Sequence, residues 1–294
     1  MIKNRTIIIA LLLSIFLVGC ENTEVLDTSE KKDVAAVTAT PIITKEEVTF
    51  NQLEGPFGFA DEGGKRLITL TNKEDYDIEK LKELNVAVGN SGEIIEIEFM
   101  KWQEKNDKDN SRQTMYNFDN MSGYIFNVKS KKALPNEAYL LTKASVMNKD
   151  KLIKLKPVEN NESFKTADNE TIKKIETLKN RKIVESRLIA QSYDNESIFL
   201  FVFERIGDDM LASIAYMKGE KVVFKDYPAE YDQYSTWRAD GGDSPGNFEV
   251  MFLANSDEGL LMGITWGAPE GEGMYILREK NGAFTETQLK SGRY

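Results

Sequence analysis

The chain has 294 residues, of which 41% are hydrophobic, and it carries a formal net charge of −10 at neutral pH. This hydrophobic content is enough for a packed core and is typical of a folded protein rather than a disordered one. The acidic balance disfavours nucleic-acid binding, which requires clustered Lys and Arg, and the lack of histidine excludes Ser-His-Asp catalysis and histidine-ligated zinc within the chain.

An apolar segment follows the N-terminus. Lys3 and Arg5 precede residues 7–18, which are apolar apart from Ser14. A helix of that length, at about 1.5 Å per residue, falls short of the roughly 30 Å hydrocarbon core of a membrane. A basic start followed by a short apolar run is typical of a secretory signal, so we predict a signal peptide at residues 1–19.

The apolar segment ends in Leu17-Val18-Gly19-Cys20, which contains the single cysteine of the chain. This tetrapeptide resembles the lipobox of bacterial lipoproteins, and the resemblance covers only about the first 21 residues. It implies that the signal is cut before Cys20 and that the thiol of Cys20 receives a diacylglyceryl group. The alternative is a buried or incidental thiol, but the polar residues that follow at once favour lipidation.

Lipidation would attach the protein to a membrane through Cys20. One acyl chain gives marginal anchoring, whereas two or three chains on one residue make the attachment stable. We therefore expect a protein of the cell membrane that faces outside the cytoplasm. Removal of residues 1–19 takes two of the 38 basic residues and none of the 48 acidic ones, so the net charge falls from −10 to −12. A chain of that charge is not suited to binding anionic lipids through clustered basic residues.

Residues 20–46 are polar or small, and Pro41 interrupts them. We predict a lipid-anchored flexible tether here, with a mean reach of roughly 25–30 Å. The alternative is that the segment from Val48 to Phe50 already belongs to the first strand. Beyond the tether we predict an α+β fold of predominantly antiparallel β-sheet with two or three short helices. Its parts are an α+β region at 47–165 and a helix with a C-terminal β-meander at 166–294, and the two can form one domain.

The first region begins with a hairpin and a helix. The run Asp61-Glu62-Gly63-Gly64 lies between apolar segments and predicts the turn of a β-hairpin. A helix is predicted over 75–85, where Ile78, Leu81 and Leu84 recur at helical intervals. Thr71 and Glu74 have the spacing of a capping box before it. Alternation over 92–102 predicts a strand.

The second region begins with the clearest helical pattern, at 168–180. Asp168 is the expected N-cap, and Ile172, Ile175 and Leu178 form one apolar stripe. Six short apolar segments separated by Gly and Asp turns then predict antiparallel strands at 197–204, 210–217, 221–227, 247–254, 260–267 and 273–279.

A spacing of fifty residues relates two parts of this region. Leu211, Ile214 and Tyr216 are matched by Leu261, Ile264 and Trp266. Fifty residues is close to one blade of some β-propellers, but a repeat fold requires at least three copies. The spacing therefore favours two similar hairpins in one meander.

The segment 227–249 is long for a connection between two strands, and long ordered loops often carry function. It offers aromatic surfaces beside hydrogen-bonding groups, a mixture that suits a polar ligand such as a carbohydrate. The candidate binding residues are Tyr231, Tyr234, Trp237, Arg238, Asp240 and Asp243. The alternative is a loop that folds its aromatic side chains back onto the sheet.

No metal or cofactor site is predicted. Asp107, Asp109 and Ser111 match the first positions of a calcium loop, but Arg112 and Phe118 stand where that loop needs Gly and Glu. We favour a non-enzymatic binding or envelope-interaction module. A solute-binding subunit of a transporter is one rival, and it would show alternating βα units in two lobes. A carboxylate-dependent glycan-acting enzyme is the other, and it would need two carboxylates about 5–9 Å apart in a cleft.

Overall fold

The computed structural model of the protein describes residues 46–156, 166–239 and 242–294. These residues form fourteen strands, two α-helices and one 3₁₀ helix. The sheets are antiparallel apart from one contact, which confirms the predicted α+β class dominated by antiparallel sheet. The predicted signal peptide, Cys20 and nearly all of the predicted tether lie outside the described residues.

None of the helices in the described ranges combines the length and the apolar character that crossing a membrane requires.

The first six strands form a closed antiparallel barrel with the order β1-β2-β5-β4-β3-β6. Apolar side chains from all six strands fill its interior, among them Leu67, Ile95, Phe126 and Leu141. Closure pairs every strand on both sides, so the barrel has no free edge. The strands are β1 (Phe57–Ala60), β2 (Arg66–Thr69), β3 (Val86–Gly89), β4 (Glu93–Gln103), β5 (Gly123–Val128) and β6 (Ala138–Thr142).

The predicted hairpin is confirmed and the predicted first helix is corrected. β1 and β2 pair across the turn at 61–64, where Gly64 has a φ of +63° that favours glycine. Helix α1 (Ile78–Lys82) is shorter than the predicted 75–85. Its N-cap is Asp77 rather than Thr71, because the Asp75 carboxylate accepts a hydrogen bond from the Asn72 backbone (2.8 Å) and holds residues 72–75 in a separate turn.

The remaining eight strands form one sheet with the order β11-β12-β13-β14-β10-β9-β8-β7. Neighbours are antiparallel except β10 and β14, which meet in parallel at Phe224 and Ala283. The strands are β7 (Ile183–Gln191), β8 (Ser197–Phe203), β9 (Asp209–Lys218), β10 (Lys221–Glu230), β11 (Asn247–Ser256), β12 (Gly259–Ala268), β13 (Gly271–Lys280) and β14 (Ala283–Arg293). β7 and β14 were not predicted from the sequence, because they carry mixed polar and apolar side chains.

The eight-stranded sheet curls until its two edge strands face each other. One apolar cluster takes side chains from all eight strands, including Ala190 of β7 and Val250 of β11. The guanidinium Nη2 of Arg187 in β7 donates to the carbonyl of Gly246, just before β11, at 3.0 Å. The sheet is therefore an open barrel with a gap between β7 and β11.

The outer face of this sheet is covered in two places. Helix α2 (Asn169–Lys179) packs Ile175 against Phe201 and Phe203. Its predicted N-cap is confirmed, since the Asp168 carboxylate accepts from the Thr171 backbone at 2.7 Å. Leu178, predicted on the apolar stripe, is instead 56% exposed.

The six-stranded barrel covers the other part of the outer face. Its residues Val88 and Leu140 share one buried cluster with Met251, Leu261 and Ile276 of the sheet. Because these side chains are nearly inaccessible to solvent, the barrel and the sheet are packed against each other through a continuous apolar core.

The fifty-residue spacing relates strands of this one sheet. β9 and β12 begin at Asp209 and Gly259, and β10 and β13 begin at Lys221 and Gly271. Ile214 and Ile264 both enter the core of the open barrel. The spacing thus reflects two similar hairpins in one sheet, the alternative that the sequence favoured over propeller blades.

Candidate functional site

A cleft of about 730 Å³ opens where the gap in the curled sheet faces the six-stranded barrel. β7 contributes residues 187–189 to one wall, and β11 contributes residues 247–251 to the other. The barrel adds the β3–β4 turn at Asn90 and Ser91, and Glu137 directly before β6. The cleft is therefore bordered by two sheet edges and by the outer surface of a barrel.

A short chain segment, residues 152–156, fills the gap at one end of the cleft. The backbone N–H of Ile153 donates to the carbonyl of Leu253 in β11, and that of Lys156 donates to Gln191 in β7, both at 2.7 Å. Antiparallel bridges join Leu152 to β11 and Leu155 to the residue that follows β7. This segment pairs with both edges at once, as a strand between them would.

The tip of the β3–β4 hairpin is fixed to the edge of β11. The N–H of Gly92 donates to the carbonyl of Met251 at 2.7 Å. The register of β11 against β12 shifts between Val250 and Phe252, so Met251 lies at a bulge. Asn90 and Ser91 adopt left-handed φ angles of 44° and 60°, which give the hairpin a tight tip that reaches this carbonyl.

Arg187 closes the opposite end of the cleft. Its Nη2 donates to Gly246 as described above, and its Nη1 donates to the side-chain carbonyl of Asn247 at 3.4 Å. Its Nε lies 2.8 Å from a carboxylate oxygen of Glu185. The positive charge of Arg187 is thus already compensated within the protein.

The polar wall of the cleft is acidic. Glu93 is paired with Lys131 at 2.6 Å, and Glu272 beside the cleft is paired with Arg293 at 2.7 Å. Glu137 and Glu249 have no ion-pair partner among the described residues. Two carboxylates without an ion-pair partner among the described residues therefore converge on one concave surface.

The pKa values of these two carboxylates reflect their surroundings. Burial raises the pKa of Glu137, and the charges of Glu249 and Glu272 raise it further, while Arg293 offsets part of the rise. Burial by the cleft walls and the charge of Glu272 also raise the pKa of Glu249, although its side chain reaches solvent. A positive charge placed beside them would stabilise the ionised form of both carboxylates.

The acidic wall is better arranged for an organic cation than for a metal ion. In the described ranges no three Asp or Glu side chains come together as metal ligands. The opposite wall is apolar, since Phe248 and Val250 belong to the core of the open barrel and Leu188 is also buried. The cleft can therefore hold a ligand that is both cationic and partly apolar.

This cleft was not predicted from the sequence, because Glu137 and Glu249 are far apart in the chain. One signal existed within the strands. Glu249 and Thr265 are polar positions in otherwise apolar segments, and they are direct partners across β11 and β12. Both line the cleft, so their outward direction marks the face on which it lies.

The predicted loop is shorter than its sequence suggested. Residues 227–230 belong to β10 and residues 247–249 to β11, so the connection covers 231–246. The carboxylate of Asp232 accepts from the backbone of Tyr234 (2.8 Å) and Ser235 (2.9 Å), which folds the first turn of the loop onto itself.

The predicted binding residues of this loop have different surroundings. Tyr231 stacks under the guanidinium of Arg205, 3.9 Å from the ring centroid, and Tyr234 is exposed. Trp237 is half-buried against the core, and its Nε1 donates to the carbonyl of Tyr227 at 3.0 Å. Arg238 and Asp243 are exposed, and Asp240 lies outside the described residues. A carbohydrate site at this loop stays a prediction.

Comparison of the chain with protein-family models, with curated proteins and with solved structures finds no match. The geometry of the cleft is therefore the basis on which a function can be argued.

Proposed function

We propose that the protein is a lipid-anchored, extracytoplasmic binding module, without catalytic activity, that holds a positively charged organic ligand in the cleft between β7 and β11. The observation that supports the cleft as the site is the convergence of Glu137 and Glu249 without ion-pair partners among the described residues. The lipid anchor rests on the sequence around Cys20.

A cationic ligand supplies the positive charge that the two carboxylates of the cleft lack. Two carboxylates with raised pKa values repel each other and lose hydration when the cleft walls enclose them. A positive group between them lowers both pKa values, so binding strengthens as the carboxylates ionise. The expected affinity therefore rises between about pH 4 and pH 7, where ordinary carboxyl groups have lost their protons.

The test compares a cationic with an anionic probe. The full chain in a neutral detergent is titrated by calorimetry with tetralysine amide and with tetraglutamate. Binding of tetralysine alone, weakened about tenfold or more in a Glu137→Gln/Glu249→Gln variant, supports the proposal. The control Glu62→Gln/Glu230→Gln removes two exposed carboxylates elsewhere and should bind as the unaltered protein does. Equal binding by both double variants contradicts the cleft as the site.

A carboxylate-dependent glycan-acting enzyme is the second candidate. One observation favours it, because a carboxyl group with a raised pKa in a cleft is the usual general acid of such enzymes. The test is release of reducing ends from soluble cell-wall glycan. Release that disappears in Glu137→Gln would favour the enzyme, whereas the binding proposal expects no release.

The transporter-subunit alternative has less support. Such a protein would need alternating strands and helices in two lobes. The described residues instead form two antiparallel sheets with two short helices.

A further inference from the structure

Arg293 brings a fixed positive charge to the acidic side of the cleft. It lies at the end of β14 and is 8% exposed. Its Nε donates to the Glu272 carboxylate at 2.7 Å, while its Nη1 and Nη2 donate to the side-chain and backbone oxygens of Asn136 at 3.2 and 2.7 Å. The guanidinium therefore joins the sheet to the barrel at the residue that precedes Glu137.

These three contacts hold the charge of Arg293 in place. A guanidinium presents its donors in a rigid planar fork, and here each of its three nitrogen atoms donates a hydrogen bond. The centroid of the Phe59 ring lies 5.0 Å from the guanidinium carbon. Arg293 is thus a built-in part of the acidic side of the cleft.

The carboxylates around Arg293 act on one another. The charges of Glu249 and Glu272 raise the pKa of Glu137, and the charge of Glu272 raises the pKa of Glu249. Arg293 pairs with Glu272 and lowers the pKa of Glu137. Three carboxylates and one guanidinium therefore share this region, which gives a net charge of −2 when all four are ionised.

The other charged side chains of the cleft wall do not change this balance. Glu93 is paired with Lys131 at 2.6 Å, and Arg187 with Glu185 at 2.8 Å. Each of these pairs sums to zero. The charge that a ligand meets is therefore set by the three carboxylates and by Arg293.

We propose that Arg293 is a specificity-determining residue of the cleft, and that it sets the preferred ligand to an organic cation with two positive charges. This inference rests on the proposed function, to which it adds the charge of the ligand. By cancelling Glu272, Arg293 reduces three carboxylates to the equivalent of two. A ligand with one positive charge leaves one of them without compensation, and a third positive charge is opposed by Arg293.

The test uses three blocked tripeptides of equal length that carry one, two or three positive charges. They are Gly-Lys-Gly, Lys-Gly-Lys and Lys-Lys-Lys, and calorimetry at pH 7 on the full chain in neutral detergent measures the affinity of each. For the unaltered protein, the second lysine should strengthen binding about tenfold or more, and the third should add less than about threefold.

Variants of the Glu272–Arg293 pair change the charge of the cleft in a defined way. Glu272→Gln leaves the equivalent of one carboxylate, so the gain from the second lysine should fall below about threefold. Arg293→Met leaves three, so the third lysine should strengthen binding about tenfold. Glu272→Gln/Arg293→Met leaves two and should restore the preference of the unaltered protein. The control Arg278→Met removes an arginine paired with Glu258 elsewhere on β13 and should not change the preference.

The outcomes separate this inference from the proposed function. An unchanged charge preference in all the variants of the pair overturns the role of Arg293, while loss of binding in Glu137→Gln/Glu249→Gln still supports a cation site. If Arg293→Met does not fold, Glu272→Gln decides, because it keeps the guanidinium, and a tenfold gain from the second lysine in that variant overturns the inference. Binding of tetralysine amide without binding of any tripeptide overturns the inference alone, and no binding of any of these probes overturns the proposed function as well.

Discussion

Glu137 and Glu249 are the residues on which the binding proposal depends. Protein carboxylates at concave sites are usually paired, and Glu93 and Glu272 of the same region follow that rule. Leaving two groups uncompensated destabilises the fold slightly, and such a cost is common where a surface is shaped for a ligand. The two carboxylates should therefore lower the stability of the ligand-free protein by a measurable amount.

The first prediction concerns Glu137→Gln. A raised pKa in the folded protein means that the folded state binds the proton more tightly than the unfolded chain does. Stability is then lost as the pH rises from the ordinary carboxyl range through the raised pKa. Glu137→Gln should melt at a higher temperature than the unaltered protein at pH 7, and the difference should vanish near pH 4. Thermal melts at both pH values check this, and a lower melting temperature at pH 7 would contradict it.

The second prediction concerns the aromatic residues of the 231–246 loop. Trp237 packs on the core and donates to the carbonyl of Tyr227, whereas Tyr234 is 72% exposed. Trp237→Ala should reduce the free energy of unfolding by roughly 2–4 kcal/mol, while Tyr234→Ala should change it by less than about 0.5 kcal/mol. Chemical denaturation measures both. A small loss for Trp237→Ala would return this tryptophan to the list of candidate ligand contacts.

Among the structural elements, those specified by residues close together in the sequence could be predicted. The β1–β2 turn and the N-cap Asp168 follow from residue chemistry within a few positions, and both are confirmed. β7 and β14 were missed because their apolar faces depend on which strands they lie beside. The cleft could not be predicted, because its walls come from the β3–β4 turn, the start of β6, β7 and β11, whose association is set by long-range packing rather than by local pattern.

The third prediction tests the cap of α2. The Thr171 backbone N–H donates to the Asp168 carboxylate and lowers its pKa. The cap therefore contributes stability at neutral pH, and the contribution is lost as the pH falls through the lowered pKa. Asp168→Ala should lower the melting temperature at pH 7, and Asp168→Asn should lower it much less, because the amide oxygen still accepts. Equal losses in the two variants at pH 7 would contradict the cap.

At the scale of the whole molecule, the cleft depends on the packing of the six-stranded barrel against the eight-stranded sheet. The barrel and the open sheet share the buried cluster around Val88, Leu140 and Met251. The hydrogen bond from Gly92 to Met251 adds a fixed contact at the cleft itself. A site whose walls are set by a packed core needs little rearrangement on binding, which favours affinity.

The fourth prediction concerns attachment of the molecule to the membrane. The lipobox resemblance implies that the mature protein begins at an acylated Cys20. Metabolic labelling with a fatty-acid analogue should mark the protein, and Cys20→Ser should abolish the label and release the chain from the membrane fraction. Label that persists in Cys20→Ser would contradict lipidation at this residue.

The central claim is that the cleft, and not the aromatic loop, is the ligand site. The most direct measurement is a map of backbone amide NMR shifts on addition of tetralysine amide. The account predicts the largest changes at residues 187–189 and 247–250, on the two strands that border the cleft. Largest changes within residues 231–246, with the cleft strands unaffected, would contradict it.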